Sequence, residues 1–241
     1  MNETGPDSHA AADELSPYAH DEALLAAVRA DGAPAVSVHR PPGPAVVLGR
    51  GGRLELEVHA DRVLADGVPL LRRRGGGCAV VLDPGNVVVS LAMPLAGIGG
   101  ITTAFRLASA WVAAQLERCG VSDVRQEGVS DLAVGDRKLG GSCIWRTRGL
   151  LHYSTTVLVA PDLALIDRYL PHPPREPAYR RGRPHRDFLT SVTAAASTPG
   201  APVRAAEFAV QLETVVRADL PALLHLLNGG VLHDTRRTTR S

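Results

Sequence analysis

Lys138 is the only lysine in this chain of 241 residues; every other one of its 26 basic residues is arginine. It stands in a segment that dictates its own local fold. Leu132-Ala133-Val134 and Arg137-Lys138-Leu139 are two short strand-like runs joined by Gly135-Asp136, a two-residue hairpin turn. The hairpin makes these arms antiparallel neighbours, so the sheet that contains them is antiparallel or mixed. Arginine is a broad, permanently charged fork, whereas lysine is a point charge on a slim stem. A single ammonium followed by Gly140, Gly141 and Ser142 has the parts of a carboxylate or phosphate clamp.

Composition sets the class around that segment. With 45% apolar and 21% charged residues the chain matches an ordinary globular protein. A net charge of +1 excludes recruitment to nucleic acid by bulk charge. Residues 1–20 lack the basic and apolar regions of a secretory signal, and no apolar run reaches membrane-spanning length. Cys78, Cys119 and Cys143 show no metal-ligand spacing. Free thiols and a cytoplasmic location are expected, with no membrane and no nucleic-acid partner.

The expected organisation is a disordered tail over 1–19, one catalytic domain over 20–233 and a flexible tail over 234–241. Helices are expected at 21–30, 58–65, 105–119, 162–170 and 220–227, the last with Asp219 as its N-cap. Strands are expected at 45–50, 78–82, 87–93, 142–147, 150–159 and 201–210, besides the hairpin. The fold class is α+β, with a mixed, largely antiparallel central sheet flanked by helices.

Three segments carry chemistry. Arg72-Arg73-Arg74-Gly75-Gly76-Gly77 places a run of glycines beside arginines. Such a run can form an anion-binding nest of N–H groups, or simply a flexible loop. Asp131 and Lys138 face each other across the hairpin, as a surface ion pair or as a Mg²⁺ ligand and a phosphate clamp. His152 lies in an apolar strand, where a hydrogen-bonded core residue is the commoner outcome.

Taken in order, these segments resemble the lipoate–protein ligase family, whose fold group includes biotin protein ligases and octanoyltransferases. The matching motifs are Arg72 through Gly85-Asn86, Ser130-Asp131-Leu132, Gly135 through Ser142, and Leu151-His152, with Val47-Leu48-Gly49-Arg50 as the family's Gly-Arg strand. The resemblance covers roughly residues 21–192. It departs at Cys78, Leu82, Cys143 and Tyr153.

The resemblance implies a biotin/lipoate ligase catalytic-domain fold and an enzyme that activates lipoate or octanoate with ATP and Mg²⁺. The acyl group would pass from acyl-AMP to a lysine of a lipoyl carrier domain or of a glycine-cleavage H-like protein. Lys138 would be the catalytic lysine, and Arg50 would lie near the substrate tunnel. Arg72 or Arg73 with Gly75, Gly76 and Gly77 would cradle the acyl-adenylate. Asn86 and Asp131 would surround the phosphate and Mg²⁺. Gly140, Gly141 and Ser142 would pass close under the ligand, Cys143 would sit in the site wall, and His152 would line the acyl pocket. Only about fifty residues follow Thr190, which implies a single-domain form, with an accessory subunit as a further expected partner. The arginines at 180, 181, 183 and 186 either steer an acidic carrier or form only a solvated loop. The alternative is an ATP-independent octanoyl or lipoyl transferase with Cys143 as nucleophile.

Overall fold

The computed structural model describes residues 15–95, 100–147, 149–196 and 203–238, with side chains as far as Leu227. In chain order the elements begin with β1 (Ser16–Pro17), α1 (Glu22–Asp31), β2 (Ala35–His39), β3 (Ala45–Leu48), α2 (Leu54–Glu57), α3 (Ala60–Ala65), β4 (Leu70–Arg72), β5 (Val80–Leu82) and β6 (Asn86–Leu95). They continue with α4 (Ile101–Arg118), β7 (Arg125–Glu127), β8 (Asp131–Val134), β9 (Arg137–Thr147), β10 (Gly149–Leu158), α5 (Leu163–Tyr169), α6 (His185–Phe188), α7 (Val192–Ala195) and α8 (Ala205–Thr238). A single 3-10 turn, Ala178–Arg180, lies between α5 and α6.

Two sheets result. The larger has the order β2-β6-β10-β9-β8-β7, antiparallel throughout. The smaller has the order β1-β4-β3-β5, parallel except for β3 with β5. The expected α+β class with a largely antiparallel central sheet is therefore present. Helices α4 and α8 cover one face of the larger sheet, where Val87, Val89, Leu91, Leu151 and Val157 pack against Ala108, Val112, Leu116, Phe208 and Leu212. The smaller sheet packs with α5 and α6 around Val46, Leu48, Leu158, Ile166 and Phe188. A strand alternates its side chains between faces, so β10 supplies Leu151 and Val157 to the first core and Leu158 to the second.

The hairpin forms as the sequence predicts, with Gly135 at φ +57 in its turn. It also contains an irregularity that the sequence did not announce. Ala133 pairs with Lys138, but Leu132 pairs with Gly140, so Leu139 is an extra residue on β9. Such a bulge reverses which face later residues occupy.

Several expectations change. Ser16–Pro17, assigned to a disordered tail, forms β1 beside β4; residues 1–14 lie outside the described residues, as does Arg148. The strand expected at 201–210 is the start of α8, 34 residues long, which also runs through most of the expected tail at 234–241. Phe208, Leu212, Val216, Leu223 and Leu227 recur at helical spacing and are buried. A window of ten residues was too short to show that stripe. Asp219 is no N-cap: it lies within α8 and accepts hydrogen bonds from Trp111 Nε1 (2.8 Å) and Gln115 Nε2 (2.9 Å). If α8 completes the core, Leu212→Ala should cost about 2–5 kcal/mol of stability, as large-to-small core changes do. Denaturant unfolding measures this, and a change below about 0.5 kcal/mol would place α8 outside the folding unit.

Candidate active site

Between the two sheets lies a cavity of about 510 Å³. Val47 and Val81 line it from the smaller sheet, and Val88, Thr156, Leu158 and Gly141 from the larger. Pro171, Pro173, Pro174 and Pro177 form one wall, with Arg180 beside them.

Lys138 lines this cavity, and the bulge at Leu139 explains how. Three residues apart on a regular strand, Lys138 and Gly141 would face opposite ways. With one residue inserted they share a face, and the Lys138 Cε and Nζ stand 3.2 Å from where a Gly141 Cβ would be. Asp131 pairs directly with Gly141 across the sheet. Its Oδ1 therefore meets Lys138 Nζ at 2.7 Å, and its Oδ2 accepts the Tyr179 hydroxyl at 3.0 Å. Asp131 is almost wholly buried, whereas the Lys138 side chain keeps 27% of its exposure. An ammonium has three donors, so two remain for a ligand.

The glycine loop is held in place before any ligand arrives. Arg73 donates to the carbonyls of Val47 (3.0 Å), Gly76 (2.8 Å) and Cys78 (2.8 Å). Buried Glu57 accepts from the backbone N–H of Ala79 (2.6 Å) and Arg53 (3.0 Å). Arg72 donates to the carbonyls of Gly49 and Gly52, both at 3.1 Å. A Gly49 side chain would run into the Gly77 carbonyl, which fixes how closely the two loops approach.

Of the expected site residues, Arg73, Gly77, Asp131, Lys138, Gly140, Gly141, Ser142 and Cys143 line the cavity; Arg50, Arg72, Gly75, Gly76, Asn86 and His152 do not. Arg72 braces backbone instead. Gly75 packs on Cys143, whose sulfur is 2.6 Å from a would-be Gly75 Cβ. Asn86 is buried, and its Oδ1 closes the turn by accepting from Asp83 N at 2.9 Å. His152 Nε2 lies 3.2 Å from Asp21 Oδ2 under α1. The Ser142 hydroxyl turns into the core, 2.9 Å from both the Tyr153 and the Thr155 hydroxyls. The glycines are needed by the protein itself: a Gly140 Cβ would come within 2.5 Å of the Thr156 carbonyl oxygen, and Gly141 leaves room for Lys138.

Asp131 offers no free oxygen, and no group of three acidic, His or Cys side chains that could hold a metal ion occurs among the described residues. The residues present do not fit a protein-built Mg²⁺ site. The arginine loop is also reassigned. Arg180 is 4% exposed, stacks over Phe188 at 4.9 Å and lines the cavity. Arg183 is bound to Asp136 at 2.9 Å, and Arg186 to Asp167 at 2.6 Å. Tyr18 and Glu57 line the cavity, and Tyr179 bonds Asp131 beside it, although no motif signalled them. Each is brought there by a tertiary contact rather than a local pattern.

Cys143 is a poor nucleophile in this setting. Burial pushes its thiol up, and the nearby Arg73 only partly opposes this. The thiolate is the reactive form. In the folded protein Cys143 should therefore resist iodoacetamide near neutral pH, as mass spectrometry of the labelled protein would show. Rapid alkylation would reinstate it as a nucleophile.

The fold is an α+β domain with a cavity, lined by Lys138, between its two sheets. The chain belongs to the lipoyl protein ligase A/B catalytic domain family, whose model matches residues 13–216. It is 33% identical over 134 residues to a candidate lipoate-protein ligase A of Aeropyrum pernix, a match covering 51% of this chain and 50% of that one. The chain thus matches about half the length of that relative. A bi-partite lipoate protein ligase from Thermoplasma acidophilum, solved as part of a lipoylation system with its E2 lipoyl domain, aligns with a TM-score of 0.67 at 23% identity, over 86% of this chain and 77% of that one. A lipoate-protein ligase A bound with ATP aligns with a TM-score of 0.65 at 23% identity, over 83% and 79%. These two likenesses establish the shared fold. Among the described residues no helix is long and apolar enough to cross a membrane.

Proposed function

We propose that this chain is the catalytic part of a lipoate–protein ligase. It activates lipoate or octanoate with ATP and passes the acyl group to a lysine of a lipoyl carrier domain or a glycine-cleavage H-like protein. The observation that carries the reading is the Lys138–Asp131 pair, which places a charged ammonium in the wall of a cavity between the sheets. Membership of the ligase family and the names of its relatives support it. A separate accessory subunit is part of the proposal, since the similar ligase from Thermoplasma acidophilum is bi-partite. A cytoplasmic location is part of the same proposal.

In the first half-reaction a carboxylate oxygen of the acid attacks the α-phosphorus of ATP, and the bond to pyrophosphate breaks. Negative charge lies on both the carboxylate and the phosphate. The two free donors of Lys138 hold them together without reorganising, because Asp131 and the bulge already fix the ammonium. Arg180, buried against Phe188 in the same cavity, supplies a second positive charge. In the second half-reaction a neutral carrier lysine attacks the acyl carbon, the bond to AMP breaks, and the amine proton leaves to water. The proline wall and the glycine loop limit the water that could hydrolyse the intermediate.

ATP–pyrophosphate exchange dependent on lipoate or octanoate tests this reading. The wild-type chain should catalyse it. Lys138→Ala should lower it by about 10²–10³, the usual loss for one preorganised charge, with an unchanged circular dichroism spectrum. Asp131→Asn should retain the fold and lower exchange by less, because Lys138 loses its anchor but not its charge. Octanoyl transfer without ATP, through a thioester on Cys143, would replace the ligase reading with a transferase.

A further inference from the structure

Three consecutive arginines begin the glycine loop, and the third is used differently from the other two. Arg72 and Arg73 donate to backbone carbonyls. Arg74 reaches a carboxylate instead: its guanidinium lies 2.7 Å from Glu22 Oε1 and 5.3 Å over the ring of Trp145. None of these three side chains lines the cavity, and the proposed chemistry uses none of them.

Both partners of Arg74 are fixed. Glu22 opens α1, whose Leu25 and Val28 pack with Trp145, Leu150 and Ala92. Just before it, β1 pairs with β4, and the Tyr18 N–H donates to the Arg72 carbonyl at 2.8 Å. Asp21 does not cap the helix with its side chain; its Oδ2 lies 3.2 Å from His152 Nε2 on β10. Residues 16–22 are thus tied to Arg72 through the backbone and to Arg74 through a side chain.

The loop meets the larger sheet immediately after Arg74. Gly75 packs on Cys143 of β9, and Gly77, Cys78 and Ala79 then line the cavity with Arg73. That wall has little charge to offer, since Arg73 spends its guanidinium on three carbonyls. Such a wall suits the alkyl part of an acid rather than a polyphosphate. An exposed ion pair alone contributes little. A guanidinium that is also stacked on an aromatic ring has one preferred place, which a lysine would not reproduce.

We infer that Glu22 and Arg74 are positioning residues that hold the glycine loop in place as a wall for the alkyl chain of the acid. The role toward the acid rests on the ligase reading; the hold on the loop does not. Neither residue takes part in bond making.

Two measurements on Glu22→Gln, Arg74→Gln and the double variant test the inference. One is hydrogen–deuterium exchange of the amides over 75–79, and the other is the octanoate KM in ATP–pyrophosphate exchange. Each single variant should speed loop exchange and raise the octanoate KM, both on the order of fivefold, as loss of one ion pair with its stacking contact would. The double variant should do no more than Arg74→Gln alone, which already removes the pair. The maximal rate, the KM for ATP and the melting temperature should stay at wild-type values, which a general loss of stability would not allow. Unchanged loop exchange in both single variants, or effects that add in the double variant, overturns the inference and leaves the ligase reading intact. Faster loop exchange with an unchanged octanoate KM overturns the role toward the acid. A wild type without pyrophosphate exchange overturns the ligase reading and that role with it, and the loop amides then decide whether Glu22 and Arg74 hold the loop.

Discussion

The ion pair between Lys138 and Asp131 organises this molecule's site, and it exists because β9 carries one residue too many. The inserted Leu139 sends its own side chain into the core and turns Lys138 onto the face of Gly141. Asp131, the direct cross-strand partner of Gly141, is then within 2.7 Å of the ammonium. A buried carboxylate left alone would be costly, and the lysine and Tyr179 together satisfy it. A solitary lysine thereby becomes a fixed charge rather than a mobile surface group.

The two-sheet architecture supplies the rest of the site. The larger sheet spends one face on α4 and α8, which leaves the other for the smaller sheet and the cavity between them. The arginines of the glycine loop work mainly on the protein's own carbonyls. Arg72 and Arg73 fasten that loop to the turn after β3, and Glu57 fastens it from the side of α2. A loop already fixed loses little conformational entropy on binding. That rigidity is a better account of its basic composition than direct contact with an anion by every arginine.

Local patterns were legible in the sequence where chemistry and geometry coincide. The Gly135-Asp136 turn, the lone lysine and the glycines after it identified the hairpin and a lysine that lines the cavity. The helical period of α4 was equally plain. The bulge was not legible, because Leu139 continues the apolar pattern whichever face it takes. Nor was Asp219, whose acceptors serve α4 from the middle of α8. Arg180 has the composition of a solvated loop, and the aromatic face of Phe188, the carbonyl of Arg183 and the Glu176 carboxylate at 3.6 Å make its burial tolerable. Tyr18 belongs to a stretch whose composition reads as disordered, and two residues of pairing with β4 are enough to set it.

The most direct test of the central claim is a crystal structure of this chain with lipoate and ATP. The account predicts Lys138 Nζ within hydrogen-bonding distance of both an acyl oxygen and the α-phosphate, with Asp131 Oδ1 still in contact and the Leu139 bulge unchanged. A complex in which the acid and the nucleotide bind elsewhere, or in which Lys138 remains on Asp131 alone and touches neither ligand, would contradict it.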